Sequence, residues 1–156
     1  MKIAPTLEGG LRIDPETPDD WQILRAIVLD ANGHETDLAT RLGGMVTDER
    51  VAEDWQDFVV PDLRESFADD LNQIQAAIET AAAFPNDGES PIWIKHEDAL
   101  PWYSALNQAR LALEEKYAFG SDPESDPSNL QPVRNEALLR SQFYCALQSF
   151  LLRHAL

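Results

Sequence analysis

The run from Ile92 to Tyr117, IWIKHEDALPWYSALNQARLALEEKY, constrains the fold of this chain more than any other stretch. It predicts a short strand followed by one long helix that is apolar on two sides. At 100° per residue, Trp102, Leu106, Ala109 and Leu113 fall on one stripe, spaced i, i+4, i+7 and i+11. Leu100 and Leu111 fall on the opposite side. Ala105 and Ala112 lie beside the first stripe and are small enough for another helix to come close. A helix with two apolar sides is wrapped by neighbours rather than laid on a surface, so the segment 98–118 is expected to be the central helix. Between the apolar sides runs a polar strip of Tyr103, Asn107, Arg110 and Glu114. Asn107 and Arg110 can be read as ligand-binding groups, or as a polar seam at a helix–helix junction with Arg110 paired to a carboxylate. No second polar cluster in the sequence converges on them, which favours the seam.

The rest of the chain reads as mainly α, an α+β arrangement. The expectation is a compact bundle of about five helices around the helix at 98–118, with a small N-terminal antiparallel β-hairpin. Residues 2–14 make the hairpin: Ile3, Leu7, Leu11 and Ile13 supply same-face apolar positions about Gly9-Gly10, whose positive φ angles suit a two-residue turn. Pro5 lacks a donor and marks an edge strand. A third strand could form at 92–95, since two strands alone are marginal in water. Thr17 is an expected N-cap, with Pro18 at the first helical position and Asp19 and Asp20 facing the positive end of the dipole. Trp21, Leu24, Ile27, Val28 and Ala31 make that helix's core stripe, and Gly33 its stop. A short helix is expected from Thr36 to Leu42, and a second, acidic one capped by Thr47 through Phe58. Pro61 is expected to start a third, with Leu63, Phe67, Leu71, Ile74, Ala77, Ile78 and Ala81 on one face. Asn86-Asp87-Gly88 and Gly120–Pro132 read as loops, with Asp98 capping the central helix and Asn129 the last one. In that last helix Phe143, Tyr144, Ala146, Leu147, Phe150 and Leu151 cover most of the circumference. Ser141, Gln142, Gln148 and Ser149 form a polar but uncharged remainder, which suits a buried helix or a homodimer seam.

At 156 residues the chain suits a single domain, 1–156. The lone Cys145 lies in an apolar helical run and is expected to be buried as a small hydrophobe; with no partner for a disulfide, the chain fits a reducing cytoplasm. The N-terminus MKIAPTLEGG lacks the apolar segment of a signal peptide. The run from Ser141 to Leu152, 12 residues, falls short of the ~20 that cross a bilayer. The net charge is −16, from 28 acidic and 12 basic residues, which disfavours nucleic acid and anionic membrane as partners. Ten carboxylates lie between Asp48 and Glu79 against Arg50 and Arg64. They read as a solvated helix face, or as a surface for a basic partner or a mimic of nucleic-acid charge.

Motifs for chemistry are scarce. His34, His96 and His154 lie in separate elements without metal-ligand spacing, so no metal site is expected. The Asp122–Asp126 run departs from a calcium loop, with Pro127 where glycine is needed and Val133 where an acid should close the cage. No phosphate-binding glycine loop and no nucleophile elbow is present, and no cofactor is implied. Cys145 and His154 lie on opposite sides of one helix, about 13 Å apart along its axis. The constellation that remains is His96, Glu97, Trp102, Asn107 and Arg110 at the strand-to-helix junction, a ligand or interaction strip if it is not capping and packing.

Taken together, the glycine-containing hairpin, DFVVPDLR at 57–64, Trp102 followed by ALNQARLAL at 105–113, and FYCALQSFL at 143–151 resemble the bacterial domain-of-unknown-function family twenty-seventeen. The resemblance touches most of the chain, outside 31–56, and is most specific from Trp102 to Leu113. It implies a mainly helical fold with a small N-terminal sheet, no established activity and no catalytic residues. Members of that family are often encoded beside the ClpS adaptor of the Clp protease, which implies by association a role near regulated proteolysis. The expected function is therefore that of a non-catalytic helical domain with a protein partner, with a homodimer through the C-terminal helix possible. The alternatives are a small-ligand binder or enzyme using Asn107 and Arg110, and an acidic mimic of nucleic acid.

Overall fold

The computed structural model describes residues 1–33, 37–83, 90–120 and 131–156. Strands β1 (Lys2–Pro5), β2 (Gly10–Asp14) and β3 (Ile92–Lys95) form an antiparallel sheet in the order β1-β2-β3, so the third strand is present. Ile3 pairs with Ile13 and Ile13 with Ile92, while Leu11 pairs with Ile94, which puts the apolar residues on one face. The four on β2 and β3 are buried. On the other face the Arg12 guanidinium lies over the Trp93 ring, 5.2 Å from its centroid. The turn is longer than the two residues expected. Thr6 N–H donates to the Gly10 carbonyl at 3.0 Å, so Leu7 and Glu8 join Gly9 in the turn. Leu7 is consequently exposed and not on the core face. Gly9 and Gly10 have φ of 80° and 142°, and a Cβ at Gly10 would collide with the Ile94 carbonyl. Glycine there is what lets β3 approach β2.

Helix α1 (Pro18–Ala31) begins with a reciprocal cap: Asp20 N–H donates to Thr17 Oγ1 at 3.3 Å and Thr17 N–H to Asp20 Oδ2 at 3.0 Å. It ends on Asn32 in a right-handed conformation, whose amide donates to the Val28 carbonyl at 2.9 Å, so Gly33 is not used as a left-handed stop. Helix α2 (Leu38–Gly43) is capped by Asp37, and α3 (Glu49–Asp54) by Asp48 rather than Thr47, because only the Asp48 carboxylate reaches the Arg50 and Val51 N–H groups. The expected break before Pro61 does not occur. Helix α3 continues through a π-helical turn, Trp55–Val59, into α4 (Val60–Ala83). Pro61 has no N–H and its ring crowds the carbonyl four residues back; widening the preceding turn, with Val60 N–H on the Trp55 carbonyl, removes the conflict without ending the helix.

A 3-10 turn, His96–Asp98, leads into α5 (Ala99–Tyr117). Asp98 occupies the cap position, but its carboxylate accepts from Gln73 Nε2 at 2.9 Å instead of capping. Helix α5 closes on Ala118 in a left-handed conformation, and Arg134, in the first turn of α6 (Gln131–His154), donates to the carbonyls of Tyr117, Ala118 and Phe119. The expected loop at Asn86–Gly88, residues 121–130 of the expected loop Gly120–Pro132, the Asp122–Asp126 run and the Asn129 cap lie outside the described residues, while Gln131 and Pro132 already belong to α6.

One core gathers the inner face of the sheet with α1, α4, α5 and α6, and α5 packs against all three of those helices. Its role as the central helix holds, but burial widens the first stripe, while of the opposite side Leu111 is only half-buried. Ala105, Gln108, Ala109 and Ala112 are buried, Gln108 donating to the Phe67 carbonyl of α4 at 3.3 Å. Leu100 is 66% exposed. Of the ten carboxylates from Asp48 to Glu79, all but Asp70 are exposed, as a solvated face and a charge mimic would both require. Burial raises the pKa of Asp70 above the ordinary carboxylate value, against the opposing effect of a hydrogen bond with Ser104.

Candidate functional site

The structure disperses the strand-to-helix constellation. Trp102 is 1% exposed and belongs to the core. His96 is held by the end of α6: its Nδ1 lies 2.7 Å from the Ala155 carbonyl. A carbonyl only accepts, so Nδ1 carries the proton and donates, tying the end of α6 to the end of β3. His96 also lines a cleft of about 490 Å³ beside the hairpin turn, with Thr6, Glu8, Trp93, Lys95 and Glu97. Asn107 and Arg110 remain together on α5, one turn apart and half-buried.

What meets Arg110 comes from α6. Helices α5 and α6 run antiparallel, with Arg134 at the end of α5 and the Ala155 carbonyl on His96 near its start. Level with the middle of α5, Arg110 Nη1 donates to Gln148 Oε1 at 2.6 Å, and Gln148 Nε2 donates to the Tyr103 carbonyl at 3.2 Å. Gln148 is 3% exposed. The sequence groups it with Ser141, Gln142 and Ser149 in the polar, uncharged side of the last helix; of these four, Gln148 alone joins the buried stripe of α6, with Ala137, Tyr144, Leu147 and Leu151. Cys145 falls beside that stripe and is exposed rather than buried. Arg110 thus lies at an α5–α6 seam, but its partner is a neutral amide and not a carboxylate. Its Nε is buried without a hydrogen-bond partner.

A second polar contact holds α6 to α1. Arg140 grips Asp30 through Nε at 2.7 Å and Nη2 at 2.9 Å, and Tyr144 Oη donates to Asp30 Oδ2 at 2.7 Å. Tyr144 is fully buried. Burial and the Asp30 charge push its phenol well above the ordinary value of 10, so it is a neutral donor at all moderate pH. Nothing in the sequence paired these three residues. A usable signal was an acid in the last turn of α1, where the helix dipole disfavours it unless a cation compensates.

The surface of the same two helices carries a pattern that motif searching passes over. Residues 99–113 and 137–152 contain no Asp or Glu, although the chain has 28. Leu100 (66%), Leu139, Phe150 and Leu152 (57%) are exposed on them. The antiparallel register sets Leu100 and Leu152 at the same end of the α5–α6 pair, near the His96–Ala155 contact. Among the described residues, no group of three or more His, Cys, Asp or Glu side chains is placed to hold a metal ion, and no helix is long and apolar enough to cross a membrane.

No curated protein and no solved structure matches the chain. Residues 6–155 match the family described as Domain of unknown function (DUF2017), nearly the whole length and including the α5–α6 face. The chain belongs to the DUF2017 family.

Proposed function

We propose that this chain works by protein–protein contact, with the α5–α6 face as its docking surface, and not by catalysis. The observation that carries the reading is the acid-free character of residues 99–113 and 137–152 in a chain of net charge −16, together with the leucines they expose. The cores of interfaces are depleted in charge, and an exposed apolar patch marks an interaction site. A partner covering this face meets none of the repulsion that the rest of the surface offers to an acidic protein. The finer reading, that the contact serves regulated proteolysis of the Clp type, is supported by the resemblance to a family whose members are often encoded beside the ClpS adaptor.

The test is co-purification from native lysate with the wild-type chain and with the double variant Leu100→Glu/Leu152→Glu. Both leucines are exposed, so the variant is expected to fold with an unchanged melting temperature and to lose a defined set of proteins that the wild type retains. The reading is wrong if both chains recover the same proteins. It is also wrong if the wild type recovers none and the isolated chain turns over a member of a metabolite panel.

A further inference from the structure

We propose that a second copy of this chain seats on the outer crest of α6, the two helices antiparallel, with Leu139 of each copy entering a hollow beside Ala146 of the other. The inference concerns the same acid-free stretch as the docking reading above but a different side of it, since Leu152 lies about 120° from Ala146 around the helix.

The crest is a seam that the chain itself leaves uncovered. Asn135, Leu139, Gln142, Ala146, Ser149 and Arg153 are all exposed. Their 4-3-4-3-4 spacing is the interval that keeps one line of a helix against another helix. A hollow of about 170 Å³ lies on this line, lined by Ala146, Ser149, Phe150 and Arg153. Those four stand at i, i+3, i+4 and i+7, the diamond into which a facing helix inserts one side chain. The Phe150 ring stacks with that of His154, centroids 6.1 Å apart, which steadies one wall. Leu139 is 64% exposed on the same line, about 16 Å along the axis from the centre of the hollow. A helix with a knob and a hole on one line is complementary to itself when a copy is turned end for end. Both knobs then meet both holes, about a two-fold axis level with residue 144. Charge selects the same contact. Two copies of net charge −16 repel each other over most of their surface, but no Asp or Glu occurs from Ala137 to Leu156. The register that seats Leu139 also brings Arg153 of each copy level with Asn135 and Glu136 of the other. Neither Arg153 nor Glu136 has an ionic partner among the described residues.

The experiment begins with sedimentation of the full-length chain. One helix on one helix is a small contact, so a dissociation constant of about 10 μM is expected, with monomer passing to dimer between about 1 μM and about 1 mM. Leu139→Glu replaces the knob with a charge and Ala146→Leu fills the hole. Both positions are exposed and suit helix formers, so each variant should keep its circular dichroism spectrum and weaken the dimer at least about tenfold. The lone Cys145 reports the geometry: it is exposed and lies within one residue of the axis level, so a short bis-maleimide should join two copies through it. In Cys145→Ser/Asn135→Cys the antiparallel register holds the two thiols about 28 Å apart along the axis, and cross-linking should fail, whereas a parallel pair would cross-link at either position. A wild type that stays monomeric at about 1 mM, a dimer indifferent to either substitution, or equal cross-linking at both positions overturns the proposal. A monomer whose lysate proteins depend on Leu100 and Leu152 overturns the second copy and leaves the docking reading standing. A dimer lost in Leu139→Glu, with lysate recovery indifferent to Leu100→Glu/Leu152→Glu, supports the second copy and removes the docking reading.

Discussion

Asp30, Arg140 and Tyr144 show how single residues bind α1 to α6. Asp30 accepts from both partners, and Arg140 keeps 26% of its side chain in water. Asp30→Asn leaves that arginine without its counter-charge; allowing for its partial exposure, the expected loss is about 2–3 kcal/mol, read from denaturant unfolding. Tyr144→Phe removes one hydrogen bond and should cost about 1 kcal/mol at neutral pH. The pH profile separates the two residues. The folded state raises the phenol's pKa above 10, so it holds that proton more tightly than the unfolded chain does. Its contribution is whole below pH 10 and is lost as the pH rises beyond it. Wild type should therefore lose stability steeply above pH 10, and Tyr144→Phe should flatten that slope. An unchanged alkaline slope in the variant would count against this assignment. In the sequence Tyr144 looks only apolar, because nothing local shows that its hydroxyl meets an acid 114 residues away.

At the scale of elements, local rules account for most of what forms. The Thr17–Asp20 cap, Pro18 at the start of α1 and the apolar face of α4 are readable in order, because each depends on neighbours within a turn or two. The departures have local causes of a different kind. Asp48 displaces Thr47 as a cap, and Pro61 is accommodated by a π turn where a break was expected. The hairpin offers a test of the glycine argument. At Gly9 a Cβ would meet nothing within 4 Å, whereas at Gly10 it would strike the Ile94 backbone, and both have positive φ. Gly9→Ala is expected to cost about 1 kcal/mol through its backbone conformation alone. Gly10→Ala adds the collision and should cost about 2–3 kcal/mol. Equal denaturation midpoints for the two variants would show that β3 does not depend on the close approach.

For the whole molecule the dominant quantity is the net charge of −16. Self-repulsion opposes the compact state, and raising ionic strength from about 0.01 M to about 0.15 M shortens the screening length from about 30 Å to about 8 Å. The melting temperature should rise by a few degrees over that range; a flat response would mean that the exposed acids, with ion pairs such as Arg25–Glu79, already balance the field. The sequence by itself determined the charge, the helical class, the Thr17 cap, the central place of the helix at 98–118 and the resemblance to the family, because composition, 3.6-residue periodicity and capping act along the chain. It also held the acid-free stretches at 99–113 and 137–152, though only their exposure gives them meaning. The tertiary structure alone decided which sides of those helices face water. It put Leu100 outside and Gln148 inside, tied His96 to the Ala155 carbonyl, and gave Arg110 an amide 38 residues distant in place of a carboxylate. Helical spacing specifies that a residue lies on a given face, but which neighbour covers that face is set by packing between segments far apart in the chain.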